Sequence, residues 1–305
     1  MIIPFCLPAP PSSSKVPIWD GQSFILDDQK LSVLEYSENY AGWSDDLTTL
    51  HETITGDKHP IDIASRADAI TQAKRCLAKY CAEISPTIVE VGCSSGYLLR
   101  TLVATFPQAT VVGADVVKAP LLKLASELPG VPLMRFDLLQ CPLPEQTIDV
   151  LIMLNVLEHI EDDLTALHNA FKLLKPGGCL VIEVPAGPSL YDFYDAALLH
   201  FRRYSAVELR KKLTAVGFEV TRLSHLGFIL YPAFSIVKLL NKVFPSRENT
   251  RNVGDQITAT SGSVLVRFLM KFESNYLSRL HLPFGIRVLS VARRPIQQLV
   301  TNNHK

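Results

Sequence analysis

From Thr87 onward the apolar positions fall into two alternating rhythms. Short runs of β-branched and other apolar residues occupy 87–91, 110–114, 131–136, 148–154 and 179–184. Between them apolar residues recur at helical spacing. Leu98, Leu102 and Phe106 share one face of the stretch after Tyr97, and Leu164, Leu167, Phe171 and Leu174 share another. Lys175-Pro176-Gly177-Gly178 ends that second pattern and reads as a turn. Strands alternating with helices predict a parallel sheet covered on both faces. Ser205 and Glu208 have capping-box spacing ahead of Leu209, Leu213 and Val216, with Gly217 as the stop. A sixth strand is expected at 218–223 and a seventh at 285–292.

The rest of the chain is less regular. Residues 1–18, rich in Pro and Ser, read as a flexible tail. Residues 19–86 read as an N-terminal lid and helical region, with no clear period before a helix over 64–84. The main domain spans 87–295 and carries a helical insertion at 228–284; 296–305 read as a C-terminal tail. The insertion predicts two apolar helices, near 232–243 and 263–280, joined by a polar loop at 246–260. Residues 226–237 carry no charge, yet the run is too short to span a bilayer and Pro232 interrupts it. Two readings stay open for it: a buried helix, or an apolar lid that touches a greasy acceptor or a membrane surface.

Composition narrows the partners. Lys+Arg and Asp+Glu both number 30 in 305 residues, so no basic field points to nucleic acid. The six cysteines form no C-x-x-C pair, and no His/Cys group has zinc spacing. This predicts no metal, no disulfides and a reducing, cytoplasmic setting. The first residues lack the basic flank of a secretory signal.

Candidate chemistry begins at "TIVEVGCSSGYLL", where a strand meets the loop Gly92-Cys93-Ser94-Ser95-Gly96 and then a helix. Glycines there permit a sharp turn and close approach of a ligand. The third glycine of a dinucleotide fingerprint is absent, and no lysine follows as in a phosphate-binding P-loop. Asp115 ends the second strand, Asp137 the third, and Asn155-Val156-Leu157-Glu158-His159 follows the fourth. Open α/β sheets bind ligands at this edge.

With those residues in order, the chain resembles the class I S-adenosylmethionine-dependent methyltransferases. The resemblance rests on E-V-G-C-S-S-G, G-A-D, F-D-L, N-V-L-E-H-I and L-K-P-G-G, spanning 87–185. Ser94 stands where the family has its middle glycine. The resemblance implies a Rossmann-like seven-stranded, mostly parallel sheet with an antiparallel last strand and S-adenosylmethionine as cofactor. Gly92, Cys93, Ser94 and Gly96 would follow the methionine moiety, with Glu90 orienting its ammonium end. Asp115 would hold the ribose diol and Val116 would pack on adenine. Asp137 and the Leu138 amide would meet the adenine edge, and Asn155 would line the pocket beside the methyl donor.

Methyl transfer needs alignment more than acid–base chemistry, because the sulfonium donor is already activated. Where the acceptor must lose a proton, His159 is the candidate base; its alternative is a structural histidine. Arg202, Arg203 and Tyr204 either face an acceptor or form a solvated loop. The acceptor is expected to be a small or lipid-like molecule, and the oligomeric state is unassigned. A silent S-adenosylmethionine-binding module is the rival outside enzymes. A short-chain oxidoreductase would need Tyr-x-x-x-Lys, and none of the nine tyrosines has lysine four residues on.

Overall fold

The structure is a computed structural model that describes residues 3–37, 58–81, 83–243 and 263–296. The expected polar loop at 246–260, part of the expected lid (38–57) and most of the C-terminal tail lie outside the described residues.

The core is one mixed sheet. Its strands are β4 (Leu34–Glu35), β5 (Thr87–Val91), β6 (Thr110–Asp115), β7 (Leu133–Arg135), β8 (Ile148–Leu154), β9 (Leu174–Pro185), β10 (Glu219–Leu226) and β11 (Arg287–Arg293). They lie in the order β10-β11-β9-β8-β5-β6-β7-β4. The strands from β9 through β4 are parallel, whereas β11 runs antiparallel to both β9 and β10. The seven expected strands are thus present with the expected last-strand direction. β4 adds a two-residue eighth strand, pairing Leu34 with Met134. A separate small antiparallel sheet, β1 (Ile18–Trp19), β2 (Phe24–Leu26) and β3 (Gln29–Leu31), lies in the segment without a legible period.

Every residue of β5 and β6 is buried, as a sheet covered on both faces requires. The covering helices include α1 (Pro60–Tyr80), α2 (Tyr97–Thr105), α3 (Lys118–Glu127), α4 (Asp163–Leu173) and α6 (Ala206–Val216). A short α5 (Phe193–Ala197) precedes α6. One face packs Leu151, Met153, Leu167, Leu180, Leu209 and Leu213 together; the other packs Ala69, Ala73, Ile88, Leu99, Leu102 and Val150. Ser205 Oγ accepts the Glu208 amide at 3.1 Å and Gly217 caps α6 at φ +110°, so this helix begins and ends where its sequence signals stand.

Three expectations are revised. The N-terminal segment is not a loose tail, because Ile3 and Leu7 are buried in the main core and hold it down. Lys175–Gly178 is not a free turn but an irregular stretch within β9, between the pairs Ile148–Leu174 and Val150–Cys179. The insertion forms α7 (Tyr231–Val243) and α8 (Val264–Phe272), but α7 is not a buried apolar helix. Lys238 is its buried anchor, 2.6 Å from Asp192 Oδ1 and 2.9 Å from Asp195 Oδ2, while Ile236, Val237, Leu239 and Leu240 are exposed. Pairing a buried lysine turns the charged side inward and the apolar side outward. On α8, Val264, Leu265, Phe268 and Phe272 are likewise exposed. No helix among the described residues is long and apolar enough to cross a membrane.

α1 is fastened to the sheet by charge. Arg287 of β11 pairs with Asp62 of α1 and lies 2.9 Å from Glu183 of β9; Ser65 Oγ of α1 donates to Glu183 at 2.7 Å. Burial opposes ionisation of Asp62, but the Arg287 charge outweighs it and holds that carboxyl well below the usual range. A depressed folded pKa contributes stability above the ordinary value of 3.8 and loses it as pH falls below. Asp62→Asn is therefore expected to destabilise the protein by about 3 kcal/mol at neutral pH. In urea denaturation the gap between variant and wild type should narrow between about pH 5 and pH 2. A gap independent of pH would show that the Asp62 charge is not what fastens the helix.

Candidate active site

The register of the parallel strands sets one row across the sheet. Val91 is level with Ala114 and Met153, Ala114 with Met134, and Met153 with Ile182. The next residue on each strand is Gly92, Asp115, Arg135, Leu154 and Glu183. The expected donor-site residues therefore gather at one edge: Glu90 near the end of β5 with Gly92, Cys93, Ser94 and Gly96 after it, Asp115 at the end of β6 with Val116 after it, Asp137 and Leu138 after β7, and Asn155 after β8.

The glycine loop is tight. Gly92 and Cys93 both donate their amides to Ala114 O, at 2.8 and 3.0 Å, and Gly96 donates to Cys93 O at 2.7 Å. Gly92 and Gly96 have φ of +77° and +72°, and a Cβ on Gly92 would lie 2.4 Å from Val156 Cγ2. Ser94, at the family's glycine position, also has positive φ, +44°. Its amide donates to Asp115 Oδ2 at 2.8 Å, which holds the strained residue in place. Asp115 Oδ1 accepts from Val117 N at 2.9 Å. Each carboxylate oxygen keeps lone pairs for a ligand beyond these bonds. This loop-fastening role of Asp115 was not legible in the sequence.

The electrostatics are one-sided. Glu90 is buried and its Oε2 has no hydrogen-bond partner. Burial pushes its carboxyl well up; the charge of Asp115 adds to the rise and that of Arg66, on α1, opposes it. Arg66 lies over the Tyr97 ring, 5.5 Å from its centroid. Burial also raises Asp115 against the amides of Val117 and Ser94, and raises the Cys93 thiol. Asp137 caps the short 3-10 turn Leu138–Gln140 through a bond from Leu139 N at 2.9 Å. Arg135 Nε donates to Val116 O at 2.9 Å. Asn155 holds a left-handed φ of +53°, which asparagine tolerates, and donates its amide to Glu183 O at 2.9 Å.

His159 ends the short 3-10 turn Leu157–His159, and its ring centroid is 4.7 Å from that of His200. Burial pushes the Glu158 carboxyl up to about 7, with the His200 charge opposing. The residues expected to face an acceptor are held by bonds within the fold. Tyr204 is fully buried and donates to Asp163 Oδ2 at 2.9 Å. Arg203 is buried, with Nε on Asp195 Oδ1 at 2.7 Å and Nη1 on Ala186 O at 2.9 Å. Arg202 donates to Glu161 O at 2.7 Å and pairs with Asp163 at 2.9 Å. The polar groups of all three are bound within the fold; with a bond from Phe201 N to Glu158 O at 2.8 Å, Arg202 and Tyr204 clamp the 200–204 segment against 157–163, while Arg203 ties it to Ala186 and Asp195. Helical and strand periodicity carries no trace of such a clamp, which is why it was missed.

A family model described as a methyltransferase domain matches residues 89–180. A Mycolicibacterium smegmatis protein named as an S-adenosylmethionine-dependent methyltransferase is 31% identical over 146 residues, covering 47% of this chain and 55% of its own length. A trans-aconitate 2-methyltransferase from Azoarcus is 34% identical over 120 residues, covering 39% of this chain and 47% of its own. The chain thus spans about half the length of these curated relatives. Among solved structures, a chain of the complex between the Haloferax volcanii Trm112 methyltransferase activator and a methyltransferase superposes with TM-score 0.53 at 19% identity, covering 83% of this chain and 96% of its own. A candidate sarcosine dimethylglycine methyltransferase from Galdieria sulphuraria gives TM-score 0.55 at 13% identity, covering 82% of this chain and 99% of its own. These two share the fold. Through residues 89–180, which carry the glycine loop, the chain is similar to S-adenosylmethionine-dependent methyltransferases.

Gly92 tests the tightness of the loop. Gly92→Ala combines an unfavourable φ with the clash against Val156 and should lower stability by about 2–4 kcal/mol, read by chemical denaturation. Adding Val156→Ala removes the clash but not the φ strain, so the double variant should recover part of the loss. Additive losses would show that the close approach to Val156 is not the constraint.

Proposed function

We propose that the protein transfers a methyl group from S-adenosylmethionine to a small or lipid-like acceptor. The observation that carries this reading is the buried, unpartnered Glu90 Oε2 beside the glycine loop. A buried carboxylate oxygen without a partner is costly, and the ammonium of the methionine moiety is a partner of the right charge. The remaining roles follow the row of strand ends. Gly92, Cys93, Ser94 and Gly96 lie along the methionine moiety. Asp115 takes the ribose hydroxyls with the lone pairs that Ser94 and Val117 leave. Val116 packs on adenine, Asp137 accepts from its amino group, and the Leu138 amide donates to a ring nitrogen. Asn155 lines the methyl end.

The chemistry is a displacement at carbon. An acceptor lone pair forms a bond to the methyl carbon, the sulfur–carbon bond breaks, and its electron pair returns to sulfur as a neutral thioether. The residues present align donor and acceptor and exclude water; a proton leaves the acceptor where its atom carries one. The apolar outer faces of α7 and α8 support a lipid-like acceptor. The trans-aconitate activity named for the Azoarcus relative supports a small one.

Calorimetric titration with S-adenosylmethionine tests the reading. Wild type should bind in the micromolar range. Glu90→Gln should bind at least about tenfold more weakly, from the loss of a charged hydrogen bond. No binding by folded wild type would overturn the proposal. Turnover of methyl-labelled donor in the presence of cell extract then separates an enzyme from a module that only holds the donor.

A further inference from the structure

Glu158, His159 and His200 are brought together by the clamp at 200–204. Each offers one metal-ligating atom, and these atoms lie within 4.8 Å of one another. Zinc bonded at about 2.0–2.2 Å to such donors spaces them about 3.4 Å apart, so shifts of about 1 Å would close the set.

Two observations separate this cluster from a chance gathering. Glu158 is buried, and its Oε2 has no hydrogen-bond partner. A cation at that oxygen would remove the penalty of leaving it unpaired. His200 Nδ1 lies 3.0 Å from Asp195 Oδ1. A carboxylate acceptor selects the tautomer with hydrogen on Nδ1 and leaves the lone pair on Nε2, the arrangement that orients ligating imidazoles in metal sites. Asp195 is itself fixed by Arg203 Nε at 2.7 Å and Lys238 Nζ at 2.9 Å, so the orienting carboxylate does not drift.

We propose that Glu158, His159 and His200 form a binding site for a divalent transition-metal cation of the zinc type. Two imidazoles and one carboxylate suit that class better than magnesium or calcium, which favour all-oxygen sets. Three protein ligands leave a coordination position for water or for an oxygen of the acceptor. His159 is then a ligand rather than a free base. The site begins three residues after Asn155, so its adjacency to the transferred methyl group rests on the methyl-transfer reading; metal binding itself does not.

The chelator-stripped full chain, titrated calorimetrically with Zn²⁺ and no S-adenosylmethionine, should bind one ion. Glu158→Gln and His200→Ala should each weaken binding at least about 100-fold, with cooperative thermal unfolding as the check that each variant is folded. Absence of stoichiometric binding by wild type, or unchanged binding in folded variants, overturns the site. Zinc K-edge absorption of the wild-type complex reads the ligands without any substitution. Two imidazoles with oxygen donors are expected, and sulfur ligation by any of the cysteines overturns it. Because no donor is present, failure here leaves methyl transfer standing, and failure to bind donor leaves the metal site standing.

Discussion

A parallel sheet buried on both faces leaves little place for charge except near its ends. Along β5, β6 and β8 almost every side chain is packed against helices, so polar groups collect at the strand termini. At the amino edge Asp149 answers this constraint by accepting Thr87 N at 2.8 Å and pairing with Lys175 at 2.9 Å. At the carboxyl edge the answer is incomplete. Glu90 and Glu158 each keep a buried oxygen with no hydrogen bond. The same packing that stabilises the sheet therefore concentrates unsatisfied negative groups where a ligand would enter.

That edge is then closed in by segments far away in sequence, fastened by buried ion pairs as well as by apolar packing. Arg287 ties α1 to β9 through Asp62 and Glu183, and Lys238 ties α7 to the 192–195 turn through Asp192 and Asp195. Arg203 shares Asp195 with Lys238 and His200, so one buried carboxylate couples α7, the clamp segment and the histidine beside Glu158. Buried pairs of this kind contribute little to net stability against an apolar alternative, but they specify geometry, since one partner without the other is strongly penalised. The outward apolar face of α7 follows from the same choice: its anchoring side is Phe234 and Lys238, and Ile236, Val237, Leu239 and Leu240 are left outside.

Where period decides structure, the chain is legible. The strands at 87–91, 110–114 and 148–154 and the helix at 206–216 appear within a residue or two of their expected bounds, because local spacing and caps suffice to set them. The gathering of Glu90, the glycine loop, Asp115, Asp137 and Asn155 at one edge was legible as well, since each lies at or near the end of a strand. What was not legible is set by partners distant in sequence. Arg202, Arg203 and Tyr204 look like a polar loop in the chain and become a clamp only once Asp163 and Asp195 stand opposite them. His200 has no metal-like spacing to His159, yet the clamp places their rings 4.7 Å apart. Ile3 and Leu7 lie in a Pro-rich segment whose composition resembles a tail, and only the core they meet makes them ordered.

The sign of the charge at the carboxyl edge bears on how a methyl donor would be held and released. Burial raises Glu90, Asp115 and Glu158, and the charge of Asp115 adds to the rise of Glu90, so negative charge there is opposed by desolvation and, between Glu90 and Asp115, by like charge. On the methyl-transfer reading, a ligand with an ammonium and a sulfonium would offset that negative charge. On the methyl-transfer reading the sulfonium disappears in the reaction, while the ammonium remains opposite Glu90. The product is therefore held less strongly than the donor by the same carboxylates, with no conformational change required. Chain neutrality conceals this polarity, because the balancing cations Arg287, Arg203 and Lys238 are already spent fastening the surrounding segments.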